Sequence, residues 1–338
     1  MVISGATMKN EEKTELAGFL KTLPPVQFCC VYGSTLHPNN SDKSSMVDYI
    51  LGVADPLKWH SENLKLNRSH YASWMVHLGG AKLVTKVADG IGVGVHFNPF
   101  VTWNDKMLKY GVVRMHDLVE DILNWQRFYI SGRLQKPVRV LLDNLDVENL
   151  NATNLRTAIA AALLILPSKF NEEDLYSTIC SLSYMGDLRM IFAEDKNKVK
   201  KIVQGQFNLF RSMYKPFIEE YEAKDVLRVS SFGGQQANLS QVHLQCPTDL
   251  ISGVGTKFQS ASGLYSNPPH RPFCVGQVVR EVVFSSREEA ARSMQKVVRR
   301  TVIVSSLRQA VSGFVAAGGM NAGRYLANKV RKAWKSWT

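Results

Sequence analysis

Leu16, Phe19, Leu20 and Leu23 follow the i, i+3, i+4, i+7 spacing of one helical face, and Pro24-Pro25 stops that helix. A mostly apolar run from Val26 to Tyr32 then predicts a buried strand that ends abruptly at Gly33-Ser34. Residues 35–45 are rich in turn formers and predict an exposed loop. A second apolar run, from Met46 to about Val53, carries one acid, Asp48. Asp55-Pro56 has the form of an N-cap followed by proline at the first helical position, opening a helix through Trp59 and Leu64. Residues 69–89 predict helix with a break at Gly79-Gly80. Strands are expected at Val93–Phe97 and Leu108–Val113, a helix at His116–Trp125, and a short strand at Val138–Leu142 ending in Asp143. This mixture is an α/β pattern.

The pattern then changes. Residues 154–166 predict an alanine- and leucine-rich helix. Asn171-Glu172-Glu173-Asp174 starts another, with acids in the first turn where the helix dipole favours them. Helices continue to about Tyr221. The expected layout is an α/β domain over 1–150, a helical domain over 151–228, an irregular connection over 229–285 and a basic helical region over 286–338. Residues 229–280, rich in Ser, Gly, Gln and Pro, carry no assigned element.

Charge sharpens this division. Residues 270–338 hold thirteen Lys/Arg against three Glu, which is +10 of the total +12. The α/β part is nearly neutral and the tail is strongly basic, so the tail expects an anionic partner surface. The five cysteines have no metal-ligand spacing, and their odd number points to a reducing compartment. No secretory segment, no apolar stretch of 18 residues and no arginine-rich presequence is expected. The 338-residue length suits two domains, or one with extensions.

The candidate chemistry starts where the first strand stops. Gly33-Ser34 after a buried strand can turn sharply, offering backbone N–H groups and a hydroxyl to a phosphate, next to Tyr32. Asp48, set in an apolar strand, is costly to bury unless paired, hydrogen-bonded or metal-bound. A carboxylate there can hold Mg²⁺ against the same phosphate. Further metal-ligand candidates are Asp55, which also reads as an N-cap, and Asp143, which ends a strand but borders a loop containing Asn144 and Asp146. Lys82, Arg133, Lys136, Arg189 and Lys196 are candidate phosphate-binding cations, each of which could equally sit on a solvated surface. His60, His70 and His77 lack zinc-ligand spacing and read as surface or satisfied polar groups.

These segments resemble the polymerase-β-type nucleotidyltransferase superfamily at its front end. More specifically they resemble the mitochondrial translocator assembly and maintenance family of CDP-diacylglycerol synthases (phosphatidate cytidylyltransferases). The resemblance is carried by Val31-Tyr32-Gly33-Ser34, Val47–Val53 with Asp55–His60, Asn67–Tyr71, Gly79–Lys82, Lys109–Val112, Tyr129–Val138 and Leu182–Met190. It covers roughly residues 25–220 and the basic C-terminal helix. It implies a nucleotidyltransferase core, a winged-helix-like helical domain and a C-terminal amphipathic helix. The implied reaction takes CTP and phosphatidic acid, with Mg²⁺, to CDP-diacylglycerol and pyrophosphate for cardiolipin and phosphatidylglycerol synthesis. The implied location is the matrix face of the mitochondrial inner membrane. Asp187, in the family-like Gly-Asp-Leu-Arg segment, is favoured over Asp55 and Asp143 as the second metal ligand, and is counted as catalytic beside Asp48 and Ser34. One departure matters: the superfamily usually has two acids two residues apart on the second strand, and here Met46 and Ile50 flank Asp48.

In the tail, Leu307, Val311, Phe314 and Val315 precede Leu326, Val330, Trp334 and Trp337, with five cations among the second group and Gly318-Gly319 between. That pattern predicts an interfacial helix on an anionic membrane, with packing on the protein's own core as the alternative. Nucleic acid ranks behind a membrane, because the aromatic residues cluster only at the extreme end. Transfer to RNA and an inactive membrane-bound scaffold remain rival readings, and the oligomeric state is open.

Overall fold

The computed structural model describes residues 10–33, 46–187, 190, 197–230, 243–245 and 286–317. Ser34, Arg189, Lys196 and the residues beyond 317 lie outside them.

The expected first helix is α1 (Asn10–Gly18), continued by a 3₁₀ turn over Phe19–Thr22. The strands β1 (Phe28–Tyr32), β2 (Val47–Val53), β3 (Val95–Trp103), β4 (Lys106–Arg114) and β5 (Arg139–Asp143) form one sheet in the order β3-β4-β2-β1-β5. β1 runs antiparallel to β2 and β5, while β2 and β4 are parallel. β3 is longer than its sequence pattern, because Pro99 falls at a register shift between Asn98 and Val101 and pairing resumes beyond it. Asn104 and Asp105, both at positive φ, turn the chain into β4.

Strand alternation gives the sheet two packed faces. Cys29, Val31, Tyr49, Leu51 and Tyr110 pack with Leu16 and Phe19 on one side. On that side lies α2 (Pro56–Leu66), which Asp55 caps and Pro56 opens as expected; it adds Trp59. Phe28, Cys30, Ile50, Phe97 and Val113 pack on the other side. They meet α5 (Met115–Asn124) and α6 (Ser131–Leu134) there.

Between α2 and β3 the chain breaks at Gly79 into α3 (Ser73–Leu78) and α4 (Gly80–Lys86), and a π turn over Val87–Ile91 closes the segment.

The boundary expected at residue 150 falls inside one helix, α7 (Val147–Ile165). Two asparagines of this helix have tertiary partners. Asn151 Nδ2 donates to Leu134 O, and Asn154 bonds Ser131 O, the Trp125 indole and Gln135. α7 therefore joins the sheet to the helical part.

That part contains β6 (Lys169–Asn171), α8 (Glu172–Leu182), α9 (Lys198–Gly205) and α10 (Phe207–Ala223). Asn171 and Asp174 form a capping box at α8, as the acidic start predicts. β7 (Arg228–Ser230) and β8 (His243–Gln245) join β6 in a small antiparallel sheet, so a strand lies in the segment left without an element.

The last described element, α11 (Arg287–Ala317), spans about 46 Å at 1.5 Å per residue. Ala290, Met294, Val298 and Val302 bury into the helical core. Further along, Ser305 Oγ donates to Arg127 O, Gln309 to Val95 O, and Arg308 to the carbonyls of Asp89, Gly90 and Ile91. Ala316 joins the cluster of Tyr71, Met75, Val84 and Val87. Up to Ala317 the expected tail is thus docked on the folded body, while Val304, Leu307, Val311 and Phe314 remain exposed on its outer side. No helix among the described residues is long and apolar enough to cross a membrane.

Candidate active site

Register places the two predicted site segments side by side: Tyr32, the last residue of β1, is opposite Asp48, the second residue of β2. Gly33 follows with φ +105°, a conformation L side chains rarely adopt. A Cβ on Gly33 would stand 3.0 Å from Asp48 Oδ2, so the glycine leaves room for the carboxylate. Asp48 is also opposite Lys109 in the parallel ladder, with Lys109 Nζ 3.7 Å from Asp48 Oδ1. Lys109 rests over the Phe97 ring at 4.4 Å.

Arg133 closes the corner from α6. Its guanidinium lies 4.1 Å from the Tyr129 ring and 5.2 Å from the Tyr32 ring, and it donates to Tyr129 O and Oη. Tyr32 Oη and Arg133 Nε are buried with no hydrogen-bond partner among the described residues. Burial first, and then the Asp48 charge, push the Tyr32 phenol up to about 12, although Arg133 and Lys109 act the other way. Burial opposes the Arg133 charge, but Tyr129 and Tyr32 outweigh it and hold its pKa above the ordinary arginine value.

A buried acid that the sequence reading missed positions this arginine. Asp121, on α5, accepts hydrogen bonds from the backbone N–H groups of Arg127, Phe128, Tyr129, Ile130 and Ser131, and from Ser131 Oγ. Five successive donors wrapped on one carboxylate fix the loop that enters α6.

Lys136, just beyond α6, reaches the helical part. Its ammonium donates to Gly132 O and to Ser183 Oγ, both at 2.6 Å, and lies 4.8 Å from the Tyr184 ring. Lys198, at the start of α9, approaches the same ring at 5.3 Å. Gly132 permits the close approach, since a Cβ there would stand 2.6 Å from Ser183 Cβ. Arg133 and Lys136 thus line the junction of the sheet and the helical part, and Tyr184 and Lys198 face it from the other side. Asp187 is buried just past this turn, its N–H bonded to Tyr184 O.

Two predicted metal ligands do not come together with Asp48. Asp143 pairs in register with Phe28, at the opposite end of β1, about 14 Å along the strand. Its carboxylate accepts the N–H groups of Val147 and Glu148, at the start of α7. Asp55 lies beyond the far end of β2, about 20 Å from Asp48, and accepts from the N–H groups of Leu57 and Lys58. Both acids are corrected to helix caps. Lys82 is exposed on α4, and no described hydrogen bond, ion pair or ring contact links it to the corner.

His60 and His70 are satisfied polar groups, as expected. His60 bonds Tyr71 Oη and His70 bonds Tyr110 Oη, with Asn63 donating to both phenols. His77 is exposed.

No group of three or more His, Cys, Asp or Glu able to hold a metal occurs among the described residues. Among the described residues, the donor set at the corner is one carboxylate beside cations. That suits Mg²⁺ brought in on nucleotide phosphates, since this ion commonly takes one or two carboxylates and completes its shell with phosphate and water oxygens.

The sequence matches the family described as "Phosphatidate cytidylyltransferase, mitochondrial" over residues 16–332. It is similar to proteins of that name from Mus musculus, at 33% identity over 312 residues, and from Bos taurus, at 36% over 321 residues. Each alignment covers 90% of both chains. The Schizosaccharomyces pombe protein of that name is 30% identical over 336 residues, covering 95% of this chain and 83% of its own.

Proposed function

The chain belongs to the mitochondrial phosphatidate cytidylyltransferase family, and from that premise we propose that it transfers the cytidylyl group of CTP to phosphatidate at the Asp48 corner. The observation that carries the assignment is the Asp48 carboxylate seated against Gly33, which has no side chain in the way, with Lys109 and Arg133 close by. A phosphate oxygen of phosphatidate attacks the α-phosphorus of CTP. The bond to the bridging oxygen of the β-phosphate breaks, and pyrophosphate leaves with that electron pair. No covalent enzyme intermediate is needed, so the protein's task is to position the reactants and stabilise charge.

Asp48 is the residue that would hold Mg²⁺, which when bound neutralises charge at the phosphates. The Gly33-Ser34 turn would cradle the triphosphate, with Tyr32 beside it. Arg133 and Lys136 would stabilise the charge that develops on pyrophosphate, and Arg189 and Lys196 are proposed for the same role. Asp187 is held as a catalytic acid on the helical side. The core is of nucleotidyltransferase type, and the helical part with its small β6-β8-β7 sheet is winged-helix-like.

The product serves cardiolipin and phosphatidylglycerol synthesis at the matrix face of the inner membrane, reached peripherally. The exposed side chains of α11 and the basic sequence of residues 318–338 support an anionic bilayer as the docking surface.

Pyrophosphate release from each of the four NTPs, with and without phosphatidate and Mg²⁺, tests the assignment. Release is expected only with CTP, phosphatidate and Mg²⁺ together. A product that forms from CTP only when RNA is supplied would overturn the lipid reading, and the absence of any turnover would favour a scaffold.

A further inference from the structure

The strand that carries Asp48 has no second acid, and a cation occupies the neighbouring strand at the same level. Met46, just before β2, and Ile50 are two residues from Asp48, and Ile50 shares its strand face. Ile50 is buried in the apolar cluster with Leu118 and Ile122 of α5, where it can hold no ion. Across the β2–β4 ladder stands Lys109, its ammonium 3.7 Å from Asp48 Oδ1.

This ammonium has a built seat. It lies 4.4 Å from the centre of the Phe97 ring. Phe97 in turn is opposite Gly111, where a Cβ would stand 2.5 Å from the ring. The glycine therefore lets the ring lie against β4 and hold the lysine beside the acid. The Lys109 and Asp48 side chains are 24% and 25% exposed, so the pair borders solvent within reach of a bound phosphate.

A nucleotidyltransferase strand with two acids can hold two divalent ions around the reacting phosphate. We propose that Lys109 takes the place of the second ion. Its ammonium pairs with Asp48. With CTP bound, Asp48 would hold the Mg²⁺ and the ammonium would turn to the reacting phosphates, so that one divalent ion suffices. A compact charge on a flexible four-carbon stem suits such a move. The pair is easily given up, because an ion pair that borders solvent is held weakly. This inference rests on the cytidylyltransferase reading given above.

The test begins with wild-type pyrophosphate release from CTP and phosphatidate; failure there would overturn the cytidylyltransferase reading and with it the premise. With activity established, Mn²⁺ is counted by electron paramagnetic resonance in the wild-type protein bound to a non-hydrolysable CTP analogue. One Mn²⁺ per chain is expected, and two would overturn the role of Lys109. Lys109→Met should lower kcat about 100-fold, the scale of losing one preorganised charge-stabilising group, with a much smaller change in the KM for CTP. Without nucleotide, it should bind Mn²⁺ more tightly than wild type, since the competing ammonium is gone. Lys109→Arg should recover part of kcat. Retention of more than a tenth of wild-type kcat by Lys109→Met would overturn the proposal. If that variant does not fold, the wild-type Mn²⁺ count decides alone.

Discussion

A Cβ placed on Gly33 would stand 3.0 Å from Asp48 Oδ2, so the turn after β1 and the acid on β2 are built against each other. Gly33→Ala would strain a backbone held at φ +105° and push on the carboxylate. The strain should cost about 1–3 kcal/mol, read from urea unfolding. Turnover should fall more steeply than stability does. Full pyrophosphate release from Gly33→Ala would show that the contact does not matter to the reaction.

Asp48 and Asp143 pair with opposite ends of β1, which separates their roles. Asp48→Asn is expected to abolish pyrophosphate release while leaving the circular dichroism spectrum and vesicle binding unchanged. Asp143→Ala should do the reverse: lose about 1 kcal/mol of stability with its α7 cap and keep most of its turnover per folded molecule. Turnover lost in Asp143→Ala without loss of stability would return that acid to the site.

On the far face of the sheet, His60 and His96 are 1% and 2% exposed, with rings 5.2 Å apart among Tyr71, Tyr110, Asn63 and Asn98. Burial holds His60 well below the ordinary histidine range and lowers His96 to about 4. Between about pH 6.5 and 4 the unfolded chain binds more protons than the folded one, so stability rises with pH across that window. It is complete above about pH 6.5 and drains away as pH falls towards 4. His96 alone should account for on the order of 3 kcal/mol, from 1.36 kcal/mol per pKa unit. Urea unfolding at pH 7.5, 6 and 5 measures the slope, which His96→Gln should flatten; an unchanged slope would place the pH dependence elsewhere.

Since α11 is docked through Ser305, Arg308, Gln309 and Ala316, a cut after Ala317 is the one that tests the proposed membrane contact without removing a docked residue. Removal of residues 318–338 should leave the unfolding midpoint and CTP binding near wild type. Sedimentation with vesicles containing anionic lipid should fall sharply. A cut at residue 305 would instead remove part of the core and lower stability. Undiminished vesicle binding after the shorter deletion would assign the contact to the folded body.

Much of the local structure was legible because its causes are local. The Asp55-Pro56 start of α2, the Asn171–Asp174 capping box and the arrest of β1 at Gly33 each depend on residues within a few positions. The apolar strand with one acid marked Asp48 in the same way. Lys109 carried a matching signal, a lone charge in an apolar strand, but its meaning depended on a partner sixty residues away.

The sequence by itself determined the α/β front, the helical middle, the Gly33–Asp48 corner and the basic tail, because periodicity, caps and composition record them directly. Only the tertiary structure decided which charges meet. The parallel pairing of β2 with β4 sets Lys109 beside Asp48, and the Asp121-bound loop aims Arg133 at Tyr32. The antiparallel register of β1 and β5 sends Asp143 to the wrong end. Strand order and register are non-local choices, fixed by which faces bury together, and no short window of sequence contains them.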